Sequence, residues 1–201
     1  MEAEIRSYNP KNAIVFLKTN ERFGGLSNMA PGFPIIVNGI KFRTAEALYQ
    51  ACRFPYSPDV QKLIIAQYSP MTAKMRSKPF RLQTRSDWDV QRVPIMRWCL
   101  RAKLTCNYET FSSLLLETGC NPIVEMKKKG PDYWGASPDK EGNLVGPNVL
   151  GRLLMELRDQ VQNFGVAPFE KLAPLPIDDF RIFGEPISCI RRAEHRSTLF
   201  G

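Results

Sequence analysis

Residues 44–54 read TAEALYQACRF, and this stretch predicts the helix around which the chain is organised. Thr44 is a suitable N-cap, because its hydroxyl can accept a hydrogen bond from a backbone N–H of the first turn. One face of the helix is apolar and consists of Ala45, Leu48 and Cys52. A second face is polar and consists of Glu46, Gln50 and Arg53. Such a polar face is either a solvated surface or one wall of a polar site, and the spacing alone favours the surface.

A tight hairpin leads directly into this helix. Asn38-Gly39 lies between the apolar runs 34–37 and 40–42, and this dipeptide in that position predicts a two-residue type I′ turn. Two other short apolar runs, 13–17 and 123–126, predict further strands.

Start signals predict the remaining helices. Ser-Pro pairs at 57–58 and 69–70 begin two of them, since serine suits the N-cap and proline the first helical position. Later helices are expected from 86–87 onward with a break or restart at Pro94, over 107–118, and from Pro147 onward. The residues from 76 to 85 are expected to form a basic loop.

These elements predict a mainly α (α+β) fold. We expect a single compact helical domain over residues 1–161, with a small N-terminal β-hairpin or sheet element. Residues 162–201 contain four prolines and five phenylalanines, and we expect them to form a C-terminal extension that lies on the domain or on a partner.

The composition suits one soluble globular domain, with 201 residues of which 43% are hydrophobic and 24% charged. No apolar run approaches the roughly 20 residues that span a bilayer, so no membrane association is expected. The first residues lack the apolar core of a secretory signal, and a cytoplasmic protein is the expectation.

Metal and disulfide chemistry are not indicated. The five cysteines are widely spread without a C-x-x-C pair, and the one histidine, His195, lies near the C-terminus. Neither a zinc site nor a Ser-His-Asp arrangement is therefore expected in the core, and no cofactor is indicated. Any acid–base chemistry falls to carboxylates, lysine, tyrosine or water.

The net charge of +8 is concentrated in one segment. Residues 74–103 hold nine lysines and arginines against Asp87 and Asp89, which gives this segment a charge of +7. Such a field favours phosphate-bearing partners such as nucleotides or the backbone of DNA. A basic surface kept for solubility is the alternative.

Two other regions carry candidate binding residues. The loop 22–28 contains Gly25, Ser27 and Asn28, and its glycines can bring backbone N–H groups close to a ligand. The helix that opens at Pro147 and Asn148 offers free N–H groups as an anion seat.

The ordered motifs of this chain resemble those of one family. The blocks are FGGLSN at 23–28, the hairpin at 38–39, residues 44–54, the pair Ala73-Lys74, Trp88 with Met96, Leu100 and Lys103, the D-x-W-G of 132–135, and residues 146–158. Together they resemble the NADAR (YbiA-like) family over about residues 14–161. The resemblance implies a mainly helical fold with a small β element.

The resemblance also implies a function. Members of the family are N-glycosidases, which cleave the bond between a ribose anomeric carbon and a nitrogen. One branch removes ADP-ribose from guanine bases in DNA, as the antitoxin to a DNA ADP-ribosyltransferase encoded nearby. Another branch hydrolyses phosphorylated ribosylamino-pyrimidine intermediates of riboflavin synthesis.

The family motifs assign roles to residues of this chain. Glu46 matches the catalytic glutamate, and pocket positions fall on Trp88, Asp132, Trp134, Gly135 and Asn148. The chain departs from the pattern twice: Ala47 stands where the family usually has histidine, and Arg53 where it has lysine. Arginine keeps the charge and can bind a phosphate, but it cannot form a Schiff base. A lysine-covalent step would then need Lys74 or Lys41.

Cleavage of an N-glycoside builds positive charge on the sugar, which a carboxylate can stabilise, or the carboxylate can deprotonate the attacking water. We expect Glu46 to do this, with a pKa lowered by the helix dipole. Asp132 is either a second catalytic carboxylate, a ligand of a ribose hydroxyl or a turn residue. The two tryptophans either stack on the ligand or belong to the core. Phosphate contacts are expected from Arg53, Lys74 and Arg22, for which a solvated charge is the alternative.

Three functions remain open. The first is removal of ADP-ribose from guanine in DNA, which the basic segment 74–103 favours. The second is hydrolysis of a ribosylamino-pyrimidine phosphate. The third is a non-catalytic module that binds ADP-ribose or nucleic acid, which the departures at Ala47 and Arg53 keep open.

Overall fold

Thr44 begins the central helix, as the sequence predicts. Its side-chain oxygen accepts a hydrogen bond from the backbone N–H of Ala47 at 3.2 Å, and helix α1 spans Ala45–Cys52. All eight residues of α1 are buried, including Glu46 and Gln50. The polar stripe of this helix is therefore not a solvated surface.

The computed structural model describes residues 4–128, 130 and 132–192. Within them, five α-helices follow α1: α2 (Pro58–Ile65), α3 (Pro70–Ser77), α4 (Trp88–Cys106), α5 (Tyr108–Leu116) and α6 (Val149–Phe164). Short 3₁₀ helices lie at Pro10–Asn12, Gly24–Leu26, Lys78–Gln83 and Ala167–Phe169. None of the helices in these ranges is both long and apolar enough to cross a bilayer.

The strands are short and belong to five small sheets in the described ranges. They are β1 (Arg6–Tyr8), β2 (Ile14–Phe16), β3 (Ile35–Val37), β4 (Ile40–Phe42), β5 (Ile123–Glu125), β6 (Ser137–Pro138), β7 (Leu144–Gly146), β8 (Lys171–Leu172), β9 (Arg181–Ile182), β10 (Glu185–Pro186) and β11 (Ile190–Arg191). Strands β2 and β5 pair in parallel, β7 lies between β1 and β6, and three antiparallel pairs are β3–β4, β8–β11 and β9–β10.

The fold is thus α+β, and the strands predicted at 13–17 and 123–126 are confirmed as β2 and β5, but there are more strands than the sequence predicts. Strands of two or three residues are too short to show an alternating pattern, so the sequence does not reveal most of them. The hairpin prediction is confirmed, because Asn38 and Gly39 have φ values of 50° and 76°, as a type I′ turn requires.

Two local predictions are wrong. Helix α4 runs without a break from Trp88 to Cys106 although it contains Pro94. The carbonyl that loses its partner to this proline belongs to Val90, which is exposed to water near the start of the helix. The basic stretch that follows α3 is a 3₁₀ helix over Lys78–Gln83 rather than an irregular loop.

Residues 162–192 lie on the domain. Helix α6 continues to Phe164, beyond the expected boundary, and the following segment adds apolar side chains such as Phe180 and Ile182 to the main core. The indole N–H of Trp98 in α4 donates a hydrogen bond to the carbonyl of Ala173 at 2.8 Å. Residues 193–201, including His195, fall outside the described part of the chain.

The start of α6 is fixed to strand β5 by one buried side chain. Asn148 adopts a left-handed conformation (φ 46°), donates to the carbonyl of Ile123 at 2.8 Å and accepts from the N–H of Glu125 at 3.1 Å. The next N–H groups bind the carbonyls of Tyr133 and Trp134. The helix therefore begins at Val149 rather than Pro147, and its start is not a free anion seat.

Gly151 lets α6 approach this strand closely. A Cβ atom at this position would lie 2.1 Å from the carbonyl oxygen of Ile123, an atom of the backbone that cannot move independently. The contact between α6 and β5 thus requires glycine here, and the same contact sets the position of Glu125.

We expect Gly151→Ala to lower the free energy of unfolding by about 1–3 kcal/mol, because overpacking outweighs the better helix propensity of alanine. Denaturant unfolding measures the change. The matched control, Gln162→Ala on the exposed side of α6, should leave stability unchanged or slightly higher. Equal stability of the two variants would show that the close approach is not a constraint.

A buried lysine fixes the loop that precedes the hairpin. The ammonium of Lys103, which is 1% exposed, donates to the carbonyls of Gly25 at 2.5 Å and Ser27 at 3.0 Å. It also lies over the rings of Phe33 and Phe111 at 4.4 and 4.2 Å. Burial lowers the pKa of Lys103 to about 7.

The stability of the protein should therefore depend on pH through Lys103. An ammonium whose pKa falls from 10.5 to about 7 on folding binds fewer protons in the folded chain, so stability rises with pH between these values. Relative to Lys103→Met, the wild type should gain about 2 kcal/mol of unfolding free energy from about pH 7 to about pH 9. Denaturant unfolding at both pH values measures this gain.

Lys140→Met removes an exposed lysine and is the control, for which we expect no such change. Parallel pH curves for the wild type and Lys103→Met would contradict the assignment of this titration to Lys103.

Candidate functional site

A pocket of about 180 Å³ lies against the polar stripe of α1. Seven of the residues that the sequence predicts for a site line it: Asn28, Glu46, Arg53, Lys74, Trp88, Asp132 and Trp134. Seven further lining residues were not predicted as site residues: Met29, Tyr49, Gln50, Arg92, Met96, Glu125 and Lys127. Two larger depressions, of about 640 and 680 Å³, lie outside this pocket on the described surface, and neither contains a buried carboxylate.

Glu46 is held by two side-chain amides. Its Oε2 accepts a hydrogen bond from Asn28 Nδ2 at 2.6 Å, and its Oε1 accepts one from Gln50 Nε2 at 2.9 Å. The hydroxyl of Ser77 donates to the amide oxygen of Gln50 at 3.3 Å, which leaves the Gln50 nitrogen to face the carboxylate. The backbone N–H of Glu46 also donates to the carbonyl of Asn28 at 2.9 Å. This carboxylate therefore has one fixed orientation.

The prediction of a lowered pKa for Glu46 is wrong. Burial raises the pKa of this carboxyl above its usual value, and the charge of Lys74 and the bonds from Gln50 and Asn28 only partly oppose burial. The helix dipole is screened less well at a buried site, yet the loss of water is the larger effect here. A carboxyl with a raised pKa can exchange protons closer to neutral pH than an exposed one.

Glu125 brings a second buried carboxylate into the pocket. It pairs with the ammonium of Lys127 at 3.0 Å, and burial raises its pKa, with the nearby charges of Asp132 and Glu46 adding to that effect. Its other oxygen, Oε2, is buried without a hydrogen-bond partner among the described residues. A buried carboxylate oxygen without a partner is costly, and a hydroxyl of a ligand would satisfy it.

The sequence signal for Glu125 was weak. This residue ends the apolar run of β5, where it looks like an ordinary strand terminus. A carboxylate that directly follows two buried residues, a few positions before the D-x-W-G motif, is the signal that could have identified it.

Asp132 shapes the loop beside the pocket. Its Oδ1 accepts hydrogen bonds from the N–H groups of Trp134 at 2.8 Å and Gly135 at 3.1 Å. This is the turn role that the sequence left open, and it holds Trp134 at the pocket. Asp132 also lines the pocket itself, so a direct role in substrate binding stays a prediction.

Aromatic rings form one wall of the pocket. The ring of Tyr49 lies 5.0 Å from that of Trp88 and 5.7 Å from that of Trp134, in tilted and edge-on arrangements. Burial, and then the charge of Glu46, raises the pKa of Tyr49 well above its usual value, which keeps its hydroxyl protonated. The two tryptophans are half-buried, so each belongs to the core on one side and faces the pocket on the other.

The cations of the pocket are Arg53, Lys74, Arg92 and Lys127. The guanidinium of Arg53 donates to Thr84 Oγ1 at 2.9 Å and lies 5.5 Å from the centre of the Trp88 ring. That of Arg92 lies 3.9 Å from the centre of the Tyr133 ring. Arg22, a predicted phosphate ligand, instead pairs with Glu117 at 2.7 Å outside the pocket, and Lys41 also lies outside it.

Four predicted binding residues do not line the pocket but lie behind the residues that do. The carbonyls of Gly25 and Ser27 bind Lys103, and the N–H of Ser27 binds the carbonyl of Gly24 rather than facing the pocket. Gly135 packs against the carbonyl of Glu125, and Asn148 is fully buried against β5. These residues position Asn28, Glu125 and Trp134.

The described residues contain no cluster of three or more His, Cys, Asp or Glu side chains arranged to hold a metal ion. What the site does contain is two buried carboxylates, two tryptophans and a tyrosine, and four cations around a small volume. Such a set can hold a sugar between carboxylates, stack on a planar ring and bind a phosphate.

Known proteins are similar to this chain in sequence and in fold. The family model of the NADAR domain matches residues 15–162. N-glycosidase YbiA of Escherichia coli is 34% identical over 151 residues, which cover 74% of this chain and 88% of that protein. An N-glycosidase of Nostoc punctiforme is 31% identical over 152 residues, 75% of this chain and 93% of that protein.

A riboflavin biosynthesis protein of Vibrio vulnificus is 29% identical over 203 residues and matches 98% of this chain, but this match covers only 53% of that longer protein. The NMR structure of YbiA from Escherichia coli superposes with a TM-score of 0.62 at 31% identity, covering 77% of this chain and 88% of that one. From the match over residues 15–162 and the shared fold, this chain belongs to the NADAR domain family.

Proposed function

We propose that this protein is an N-glycosidase that hydrolyses the bond between a ribose anomeric carbon and a nitrogen. The observation that carries the proposal is the buried carboxylate of Glu46, fixed by Asn28 and Gln50 in a pocket of about 180 Å³. Relatives named as N-glycosidases, which share about a third of their residues with this chain, support the same reaction class.

The geometry suggests how the reaction proceeds. As the C–N bond breaks, positive charge develops on the sugar, and the Glu46 carboxylate stabilises it while it accepts a proton from the attacking water. The water oxygen bonds to the anomeric carbon, the electron pair of the broken bond goes to the nitrogen, and the proton that Glu46 has taken from the water passes to that nitrogen, which regenerates the carboxylate. Trp88 and Trp134 stack on the planar base, and Glu125 Oε2 accepts a hydrogen bond from a ribose hydroxyl.

We expect Glu46→Gln to lower kcat by about 10²–10³ or more, because the amide can neither accept the proton nor balance the developing charge. Affinity for ADP-ribose should change by only a few fold, since the amide keeps the size of the side chain and one of the two oxygens that accept hydrogen bonds from Asn28 and Gln50. Turnover of an ADP-ribosylated guanine nucleoside and of a ribosylamino-pyrimidine phosphate measures kcat, and calorimetry measures affinity.

Glu141→Gln, at an exposed glutamate outside the pocket, is the control and should keep full turnover. A wild type that binds ADP-ribose but turns over neither substrate would identify the chain as a binding module instead.

We further propose ADP-ribosylated guanine in DNA as the substrate, with the chain as antitoxin to a DNA ADP-ribosyltransferase. Support comes from four exposed cations on α3 and the following 3₁₀ helix, beside the pocket: Lys74, Arg76, Lys78 and Arg81. Exposed apolar side chains, Met75 and Leu82, lie among them. A surface of this kind can follow a nucleic-acid backbone next to the cleaved base.

Fewer cations of the basic segment 74–103 are free to contact DNA than its net charge indicates. Arg85 pairs with Asp87, Arg97 with Glu156, and Arg101 contacts Gln160, while Lys103 is buried. These four cations have structural roles, and the ninth, Arg92, lines the pocket over the ring of Tyr133, so the proposed DNA contact outside the pocket is confined to residues 74–81.

Hydrolysis of a ribosylamino-pyrimidine phosphate is the second candidate. The small volume of the pocket favours it, because about 180 Å³ suits one ribosyl phosphate better than a larger ligand. Relatives named as riboflavin biosynthesis proteins in Vibrio vulnificus and Zea mays point the same way.

The dependence of turnover on salt concentration distinguishes the two candidate substrates. If residues 74–81 bind DNA through three or four phosphates, kcat/KM on an ADP-ribosylated oligonucleotide should fall roughly 40- to 150-fold between about 50 and 200 mM salt. The triple variant Arg76→Gln, Lys78→Gln and Arg81→Gln should reduce the salt slope by about 2–3.

The control replaces three exposed lysines elsewhere, Lys11, Lys18 and Lys140, with glutamine and alters the net charge equally. It should keep the wild-type salt slope. Turnover that is indifferent to salt, or equal effects of both triple variants, would exclude the DNA substrate.

A further inference from the structure

A groove of about 680 Å³ lies next to the pocket. It runs between strand β4, the loop that includes Met29, and the start of α3. Met29 lines both the groove and the pocket, so the two spaces adjoin at this residue. Thr44 lines the groove and Glu46 lines the pocket, which places the two on opposite sides of the first turn of α1.

The groove presents an aromatic face and two cations. The ring of Tyr68 is 83% exposed, and the guanidinium of Arg43 lies 4.9 Å from its centre. Lys41 is exposed two residues earlier, on the same side of β4. No aspartate or glutamate lies among the described residues that line the groove.

These side chains have no structural task that the described residues reveal. Neither Lys41 nor Arg43 forms an ion pair with the part of the chain that the structure describes, and Tyr68 leaves most of its ring in water. An exposed ring stacks on planar bases, and unpaired cations without neighbouring carboxylates attract phosphate.

We propose that this groove is a subsite for a second nucleotide unit of the substrate, a phosphate with a planar base, which is linked either to the ribosyl group held at Glu46 or to the base that leaves it. The proposal rests on the proposed N-glycosidase function and extends it. Its geometric basis is the size of the pocket, since about 180 Å³ is below the roughly 300–1,000 Å³ that bury a larger ligand. A substrate of two nucleotide units must continue outside the pocket.

Two sources can supply this chemistry. One is a soluble dinucleotide such as ADP-ribose, whose adenylate end would reach the groove. The other is a nucleic-acid strand, whose neighbouring nucleotide would lie there. A monophosphate such as ribose 5-phosphate carries only one unit and would leave the groove unused.

The test measures the binding of three probes by calorimetry: ADP-ribose, a single-stranded DNA dinucleotide with a 5′-phosphate, and ribose 5-phosphate. We expect Tyr68→Ala to weaken at least one two-unit probe about 5- to 100-fold, as the loss of base stacking does elsewhere. Arg43→Gln should weaken the same probe, Tyr68→Phe should bind it like the wild type, and ribose 5-phosphate should bind all variants equally.

Phe164→Ala and Arg191→Gln are matched controls at exposed positions outside both spaces, and they should bind every probe like the wild type. A loss for ADP-ribose alone identifies the soluble source, and a loss for the DNA dinucleotide alone identifies the nucleic-acid source. Unchanged affinity of both two-unit probes in Tyr68→Ala and Arg43→Gln would overturn the proposal, as would a wild type that binds neither.

A wrong assignment of the subsite can be distinguished from a wrong assignment of the N-glycosidase function. Groove variants should retain wild-type turnover of a one-unit ribosylamino-pyrimidine phosphate, whereas Glu46→Gln loses it. A wild type that turns over this substrate while its groove variants bind all probes normally would retain the enzyme and reject the subsite.

Discussion

The buried carboxylate of Glu46 is the constraint on which the rest of the structure depends. A carboxylate without water costs several kcal/mol unless polar groups replace its hydration. Asn28 and Gln50 provide that replacement from two directions, and Ser77 orients Gln50. The loop that carries Asn28, helix α1 and helix α3 must therefore meet at hydrogen-bonding distance, which also closes one side of the pocket.

Two buried polar side chains outside the pocket keep these distances fixed. Lys103 binds the carbonyls of Gly25 and Ser27 and thereby holds the loop that ends in Asn28. Asn148 binds both sides of strand β5 and thereby holds Glu125. Both side chains bind backbone groups. Lys103 supports the site of Glu46, and Asn148 supports the site of Glu125, from outside the pocket. The two supports explain why motif residues that do not line the pocket belong to the pattern of the site.

Local signals predicted the elements that carry the site, but not the full set of residues that meet there. Thr44 and Asn38-Gly39 fix the helix and the hairpin through bonds within a few residues, so the sequence alone suffices for them. Glu125 and Lys127 enter the pocket because a strand of three residues pairs in parallel with β2, more than a hundred positions away. No local pattern reports such a pairing.

Some cations that the sequence offered for phosphate binding are instead held in ion pairs, and the reason is again a contact between distant parts of the chain. A count of charges along residues 74–103 cannot show that Arg97 meets Glu156 across the helix interface, and the sequence around Arg22 cannot show that this residue meets Glu117. Partners distant in sequence neutralise these cations. The charge count does show that this segment carries an excess of positive charge. The exposed cations of the segment lie beside the pocket, on residues 74–81.

Arg53 shows how a departure from the family pattern fits a carboxylate mechanism. Its guanidinium binds Thr84 and lies over Trp88, and arginine at this position cannot attack the sugar as an amine. Of the two lysines that line the pocket, Lys127 is paired with Glu125, and Lys74 acts on Glu46 through its charge by opposing the rise in its pKa. Ala47, the other departure, does not line the pocket. In the proposed mechanism, the pocket cations therefore adjust the pKa of Glu46 and bind phosphate, and the buried carboxylate of Glu46 cleaves the bond.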